Sequence, residues 1–470
     1  MTVKQKIEGF LKSNYYLIAV MALIFIGWHV KSGPTLFGMN FLNAIVMILL
    51  IVIWAFIVIS YDNMAYGLPL ILGFSYLINT NDLNLKTIVE MIPLMIAGGL
   101  FIFGIVIHII RYGKGFKRGR LTLGLTLMAL ASLIPLLYVD FSWALLILSL
   151  VGIFHIVGYT IFDNYAKIDL GYFFRLIYAL SWLLIAQMWS RYFGYLLSNG
   201  LASFPNGIRD SWSGYNNMGW GVINDVFIHL LLMIPVHIYY IIKRPQRFGY
   251  WMGLLFVGVT FAISGSRGGV MGLLIAIPFM VFVILRYGNR QVRINLLLFT
   301  VVFVGVAIAS SRYIGYIIDG FKASLENDYS TGRLYLWKWA VEVFKVYPLF
   351  GGGWAAQTMR WGSDMRTVVY HSTFFHTIAV MGLFGLVAVI INWWESFIIM
   401  CRKISLEKWI VLIGFIGSQS YGLVDITQHA AFYMILLTIQ LLVIEKSPVR
   451  TKQTFDDKDM FFVKEKKLAG

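Results

Sequence analysis

The chain has 470 residues, of which 59% are hydrophobic and only 13% charged, with a formal net charge of +16 and a mean hydropathy of +0.77. A soluble domain carries about 25% charge, and a chain of this size cannot hide such an apolar excess in one core. These numbers exclude a soluble multidomain enzyme, a disordered chain and a disulfide scaffold. The single cysteine, Cys401, also excludes a Cys-rich metal or iron–sulfur site.

The apolar residues fall in blocks long enough to cross a bilayer as helices. In chain order the expected spans are 14–31, 41–60, 64–79, 88–110, 121–138, 142–162, 172–190, 219–242, 248–265, 268–285, 294–310, 373–400, 408–424 and 428–444. The expectation is therefore an all-α polytopic membrane protein of about 14 transmembrane helices; the count falls to 12 or 13 without 64–79 or the turn near Asp425. Lys4, Lys6 and Lys12 precede the first span. A second span follows closely, so the first is read as a retained helix and not as a signal peptide.

Charge placement sets the expected orientation. With a cytoplasmic N-terminus, the inner segments without the C-terminal tail hold 19 Lys and Arg, against 5 in the short outer connections. That asymmetry follows the positive-inside rule and places both termini in the cytoplasm. The basic excess is thus a topology signal, and nucleic acid is not an expected partner. The tail after Ile444 mixes charges with few apolar residues and reads as a solvated or membrane-surface segment.

Two outer segments exceed simple connections, about 190–219 and 311–371. Loops of this length between membrane helices are usually functional. In the second, Leu334, Trp337, Val341 and Phe344 recur at helical spacing, with Lys338, Glu342 and Lys345 on another face. The spacing predicts an amphipathic helix that starts after Ser330 or Thr331 and ends before Pro348, lying in lipid or on the bundle.

Three outer groups carry residues suited to chemistry. Ser264-Gly265-Ser266-Arg267-Gly268-Gly269 combines an arginine with glycines that let a phosphate or a backbone approach closely. A tight turn with a snorkelling arginine fits the same residues. Ser330-Thr331-Gly332-Arg333 offers a helix N-terminus beside a guanidinium, which suits a pyrophosphate, or equally a capped surface helix. Tyr370-His371-Ser372 places a histidine where the loop re-enters the membrane, able to accept a hydroxyl proton near neutral pH or to tie down the loop. His376, Asp225 with His229, and Asp425 with His429 are weaker candidates, and no zinc-binding or phosphate-cradling motif is present.

The order of these groups resembles the O-antigen ligase and polymerase family of membrane glycosyltransferases. The resemblance covers roughly 200–390. It runs through Ser213-Gly214-Tyr215-Asn216-Asn217-Met218-Gly219, the turn Ser266-Arg267-Gly268, Gly332-Arg333 with Trp337, then Pro348-Leu349-Phe350-Gly351-Gly352-Gly353. His371 comes last, eleven residues before the Gly382 to Gly385 step. The sequence departs from the family pattern at Ser372, where asparagine is usual, and at Val380, where an acidic residue is often found.

The resemblance implies transfer of a glycan from undecaprenyl pyrophosphate to an acceptor hydroxyl on the outer face of a bacterial cytoplasmic membrane, without metal or other cofactor and with inversion. It implies Arg267, Arg333 and His371 as catalytic residues, with Ser266, Gly268, Gly332, Asn217, Trp337 and Gly353 contacting substrate. A lipid-linked oligosaccharide polymerase is the leading expectation. A ligase delivering finished polysaccharide to another acceptor, a flippase for the same lipids and a structural subunit of polysaccharide assembly machinery are the alternatives. The expected organisation is an N-terminal bundle over 1–200, a catalytic region over 201–400 with the outer loop 311–371, two spans over 401–445 and a cytoplasmic tail over 446–470.

Overall fold

The structure is a computed structural model that describes residues 2–29, 35–36, 39–77, 88–113, 115–140, 143–200, 223–264, 266–309, 332–354, 358–361, 364–367 and 369–446. Helices dominate, as expected: α1 (Val3–Leu11), α2 (Asn14–His29), α3 (Phe41–Ser60), α4 (Leu68–Phe74), α5 (Ile88–Tyr112), α6 (Thr122–Leu133), α7 (Trp143–Tyr165), α8 (Leu170–Asn199), α9 (Ile223–Met233), α10 (Pro235–Lys243), α11 (Gly249–Ile263), α12 (Arg267–Tyr287), α13 (Arg290–Ala309), α14 (Arg333–Val346), α15 (Thr373–Cys401), α16 (Leu406–Tyr421) and α17 (Ala431–Lys446). Two short antiparallel ribbons interrupt them, β1 (Thr35–Leu36) with β2 (Met39–Asn40) and β3 (Thr358–Trp361) with β4 (Asp364–Thr367).

Among the described residues, four helical segments are long and apolar enough to cross a membrane: Leu170–Asn199, Asn224–Lys243, Arg267–Tyr287 and Thr373–Cys401. The pair α1 and α2, bent by 64°, makes a fifth if taken as one span. The surface agrees with a bilayer as solvent. Exposed Leu274, Phe282, Leu297, Val301 and Ile308 line α12 and α13, a spread of apolar surface that water would not tolerate.

The chain divides into two compact units: 1–116 with 164–226 and 446–470, and 117–163 with 227–445. In the first, α3 and α5 run parallel. Trp54 stacks on Phe101, the Val58 carbonyl meets His108 Nδ1 at 2.6 Å and Arg111 donates to the Ile59 carbonyl at 3.1 Å. The chain therefore returns across the bundle between them. The span expected over 64–79 is built from short pieces, a 3-10 turn at Met64–Gly67 and the seven-residue α4. Beside it, Lys167 Nζ lies 2.7 Å from Asp62 and holds that carboxyl below the usual carboxylate range.

The second unit positions the candidate site. Helix α6 lies antiparallel along α15: the Gly124 N–H donates to Glu395 at 3.0 Å, and Ala131 packs in one cluster with Ala379, Val380 and Met381. This packing explains why 117–163 groups with the C-terminal helices and not with an N-terminal bundle ending at residue 200. Helices α12 and α16 approach through glycines, Gly272 facing the Gly417 carbonyl. A Cβ on Gly272 would lie 2.6 Å from that oxygen and from Leu231 Cδ1. Gly272→Val is expected to lower the melting temperature of the detergent-purified protein, at a cost of about 1–3 kcal/mol.

Candidate active site

Helix α15 is not continuous. At Gly382 the backbone turns to φ +63, which breaks the ladder and leaves carbonyls above and N–H groups below without helical partners. The segment Pro348–Gly353 supplies them. Gly352 N–H donates to the Ala379 carbonyl at 2.8 Å and Gly353 N–H to that of Val380 at 2.9 Å. In return, Leu383 and Phe384 N–H groups donate to the Pro348 and Leu349 carbonyls, each at 2.9 Å. Gly351 and Gly353 take φ +74 and +64 to make this fit, and a Cβ on Gly351 would strike the backbone of Val380 and Met381. The Tyr138 hydroxyl closes the splice from α6's side by donating to the Gly351 carbonyl.

Above the break, the first half of α15 begins beside His371. This residue is at φ 44, a conformation that costs a non-glycine residue about 1–3 kcal/mol unless its surroundings enforce it. Helix α14 does so from one side. Trp337 Nε1 donates to the Tyr370 carbonyl at 2.9 Å, its ring stacks on Phe375, and Trp339 hydrogen-bonds the Tyr370 hydroxyl. Burial raises the Tyr370 phenol above its ordinary pKa, so it remains a neutral hydroxyl.

The turn before α17 holds His371 from the other side. His371 Nδ1 lies 3.4 Å from Asp425 Oδ1, with the histidine about one-third exposed and the carboxylate 7% exposed. Tyr421 donates to Asp425 Oδ2 at 3.4 Å, and the Ile426 N–H to Oδ1 at 2.9 Å. Because a carboxylate only accepts, the imidazole proton belongs on Nδ1, leaving Nε2 as the basic nitrogen. Thr373 fixes the turn: its N–H donates to the Gly422 carbonyl at 2.8 Å, and its hydroxyl accepts from the Thr427 N–H at 3.0 Å.

The Ser-Arg-Gly turn reaches the same place, while the Gly-Arg turn starts the helix whose Trp337 holds Tyr370. Ser266 caps α12, its Oγ accepting from the Gly269 N–H at 3.3 Å, and Arg267 is the first helical residue. Gly268 lies against the Tyr421 ring, where a Cβ would come within 2.7 Å, so the Ser-Arg-Gly turn abuts the side chain that holds Asp425. Arg333 begins α14 after Gly332, which is at φ +80 and gives no side-chain cap. The positive end of the helix dipole thus lies at Arg333.

Several expectations need adjustment. The loop helix occurs, but Gly332 rather than Ser330 or Thr331 is its cap. Its buried residues are Leu336 and Ala340, while Leu334 is exposed, because small Ala340 lets the helix close on α15. Trp337 and Gly353, expected to contact substrate, have their N–H groups on Tyr370 and Val380. Asn217 with its segment, Ser330 and Thr331 lie outside the described residues. Asp425, one of the weaker candidates in the sequence, sits against His371. The signal that could have found it is the Asp-x-Thr run after α16, since Val380 leaves the first half of α15 without a carboxylate.

Residues 252–390 match the family model described as O-antigen ligase. Over this segment the chain is similar to the O-antigen ligase family. The match spans α11 to the middle of α15 and includes Arg267, Arg333 and His371. Comparison with curated proteins gives no match. Within the matched segment, the splice at Gly382 carries the greatest constraint. Gly382→Ala puts a side chain on a backbone at φ 63, ψ −158, a region essentially reserved for glycine, at about 1–3 kcal/mol, and brings a Cβ within 2.6 Å of Leu349 backbone, so recovery of folded protein should fall sharply. Trp337→Phe keeps the stack on Phe375 and loses one hydrogen bond. It should lower thermal stability by only about 0.5–1.5 kcal/mol.

Proposed function

We propose that the protein is a polymerase of lipid-linked oligosaccharide repeat units, transferring glycan from undecaprenyl pyrophosphate to an acceptor sugar hydroxyl outside a bacterial cytoplasmic membrane. The observation that carries this reading is the His371–Asp425 pair, which the Ser-Arg-Gly turn abuts through Tyr421, with Arg267, Arg333 and His371 all in the segment that matches the O-antigen ligase model. His371 Nε2 takes the acceptor proton as its oxygen attacks the anomeric carbon. Asp425 holds Nδ1–H and stabilises the imidazolium that forms. Attack comes from the face opposite the pyrophosphate, the carbon–oxygen bond to the leaving group breaks, and the configuration inverts.

Departure of a pyrophosphate needs negative charge neutralised more than it needs a general acid. Arg267 and Arg333 fill that role, each offering bidentate contacts that lysine does not match. Ser266, Gly268, Gly332 and Asn217 complete the pocket around the pyrophosphate, while Trp337 and Gly353 act by holding the residues that touch it. The proposed chemistry asks nothing of a metal ion.

The orientation with fourteen spans and cytoplasmic termini belongs to the same proposal. Its support is that segments which the charge count puts on one side meet each other within each unit. Asp62 pairs with Lys167 in one, and Arg120 with Glu445 at 3.2 Å in the other, whereas His371, Gly422 and Gly351 gather with Tyr138 and Asp425 at the opposite end of the second.

Cells whose sole copy carries Arg267→Ala, Arg333→Ala or His371→Ala, at normal membrane levels, should lose long surface polysaccharide. Single repeat units should remain, and transfer by purified protein should fall about 10²–10³-fold. Long chains held on the lipid carrier would identify a ligase instead. Normal polymer from all three variants would overturn the assignment.

A further inference from the structure

The carboxylate of Asp425 has only a light hold on its neighbours. Its contacts to His371 and Tyr421 are each 3.4 Å long, so a small shift of the turn between α16 and α17 would end both. Two residues further on, Thr427 ties that turn down. Its N–H donates to Thr373 Oγ1 at 3.0 Å, and Thr373 Oγ1 in turn donates to the Asp425 carbonyl at 3.2 Å.

The Thr427 hydroxyl faces the other way, into a chain of hydrogen bonds that ends in the body of α16. Thr427 Oγ1 lies 3.1 Å from Gln419 Oε1, and Gln419 Nε2 lies 2.8 Å from the Tyr433 hydroxyl. That hydroxyl is 2.7 Å from Ser418 Oγ, which is 2.7 Å from the Gly414 carbonyl. The last bond sets the direction of all the others. A carbonyl only accepts, so Ser418 donates to Gly414, Tyr433 to Ser418, Gln419 to Tyr433 and Thr427 to Gln419. Gln419 is thereby held in one amide orientation, and the Thr427 hydroxyl proton is committed to it.

Ser418, Thr427 and Tyr433 are fully buried, and polar groups are costly there unless they serve a purpose. Apolar side chains would join α16 to α17 at less cost. We propose that Gln419 is a positioning residue: acting through Thr427, it sets the Asp425 carboxylate against His371 Nδ1 and so fixes which imidazole nitrogen carries the proton. Tyr433 and Ser418 hold Gln419 in its turn. The effect on catalysis rests on the proposed function; the positioning does not.

Gln419→Met keeps the length of the side chain and loses both hydrogen bonds. Thr427→Val keeps the shape and loses the hydroxyl, which Thr427→Ser retains. The readout is nitrogen NMR of full-length protein labelled with ¹⁵N-histidine, in lipid and at alkaline pH. His371 is one of eight histidines, and its ring signals are those missing from His371→Gln. The native protein should carry the imidazole proton on Nδ1. Gln419→Met and Thr427→Val should add a second form with the proton on Nε2, and Thr427→Ser should not. With purified lipid-linked donor, kcat per folded molecule should fall by up to about 10²-fold in the first two, with KM for the donor unchanged, and Thr427→Ser should retain most of it. The native tautomer in both loss variants, whatever their kcat, would overturn the proposal. So would a Thr427→Ser protein that behaves like Thr427→Val, which would mark a packing role for this residue. If Gln419→Met does not fold, the two Thr427 variants decide alone. The tautomer needs no turnover to be read, so the expected shift in a protein that transfers nothing even unmutated would count against the proposed function and leave the positioning standing.

Discussion

A helix broken inside an apolar bundle must find partners for its freed backbone groups, because neither lipid nor packed side chains provide them. The four hydrogen bonds between Pro348–Gly353 and the break at Gly382 meet that requirement. Much of the site's geometry follows from this splice. It joins the end of α14 to the middle of α15, so the helix that starts at Arg333 and the half-helix preceded by His371 are fixed relative to each other. It also explains why glycines, and not merely small residues, stand at 351, 353 and 382. Each takes a positive φ, and a side chain at 351 or 382 would collide with backbone atoms that cannot move aside.

The strained conformation of His371 has meaning within this frame. A histidine at φ 44 persists only if its neighbours over-determine it, and here they do so from two directions. Two tryptophans of α14 hold Tyr370 before it, and Thr373 after it is stitched to the turn that presents Asp425. The imidazole is thus aimed by packing made elsewhere, which keeps Nδ1 against the carboxylate and leaves Nε2 for chemistry. A solvated loop histidine would sample many orientations and lose most of that pre-organisation.

The helical class, the loop helix and the order Arg267, Arg333, His371 were legible in the sequence, because composition, helical spacing and glycine-flanked arginines are local signals. The rotation of α14 was not. Leu334, Trp337, Val341 and Phe344 form as good a stripe as Leu336, Ala340 and Val343, and only contact with α15 chooses between two apolar flanks. The role of Pro348–Gly353 was equally hidden. Periodicity describes a helix with its own hydrogen bonds and has no term for backbone groups satisfied by a segment some thirty residues earlier. Asp425 was passed over for the same reason, since 54 residues separate it from His371.

That separation bears on which parts of the chain do chemistry. The matched segment ends at residue 390, in the second half of α15. The carboxylate against His371, the Tyr421 ring under Gly268 and the Gly422 carbonyl that anchors Thr373 all come from beyond it. The end of α16 and the turn that follows it are therefore walls of the candidate site. Gly268 couples them to the arginine turn directly, because it presents no side chain between Arg267's helix and Tyr421. A bulkier residue there would push apart the arginine assigned to the leaving group and the carboxylate assigned to the base. In the proposed reaction those two charges act on opposite faces of one sugar carbon, so their spacing matters as much as their presence.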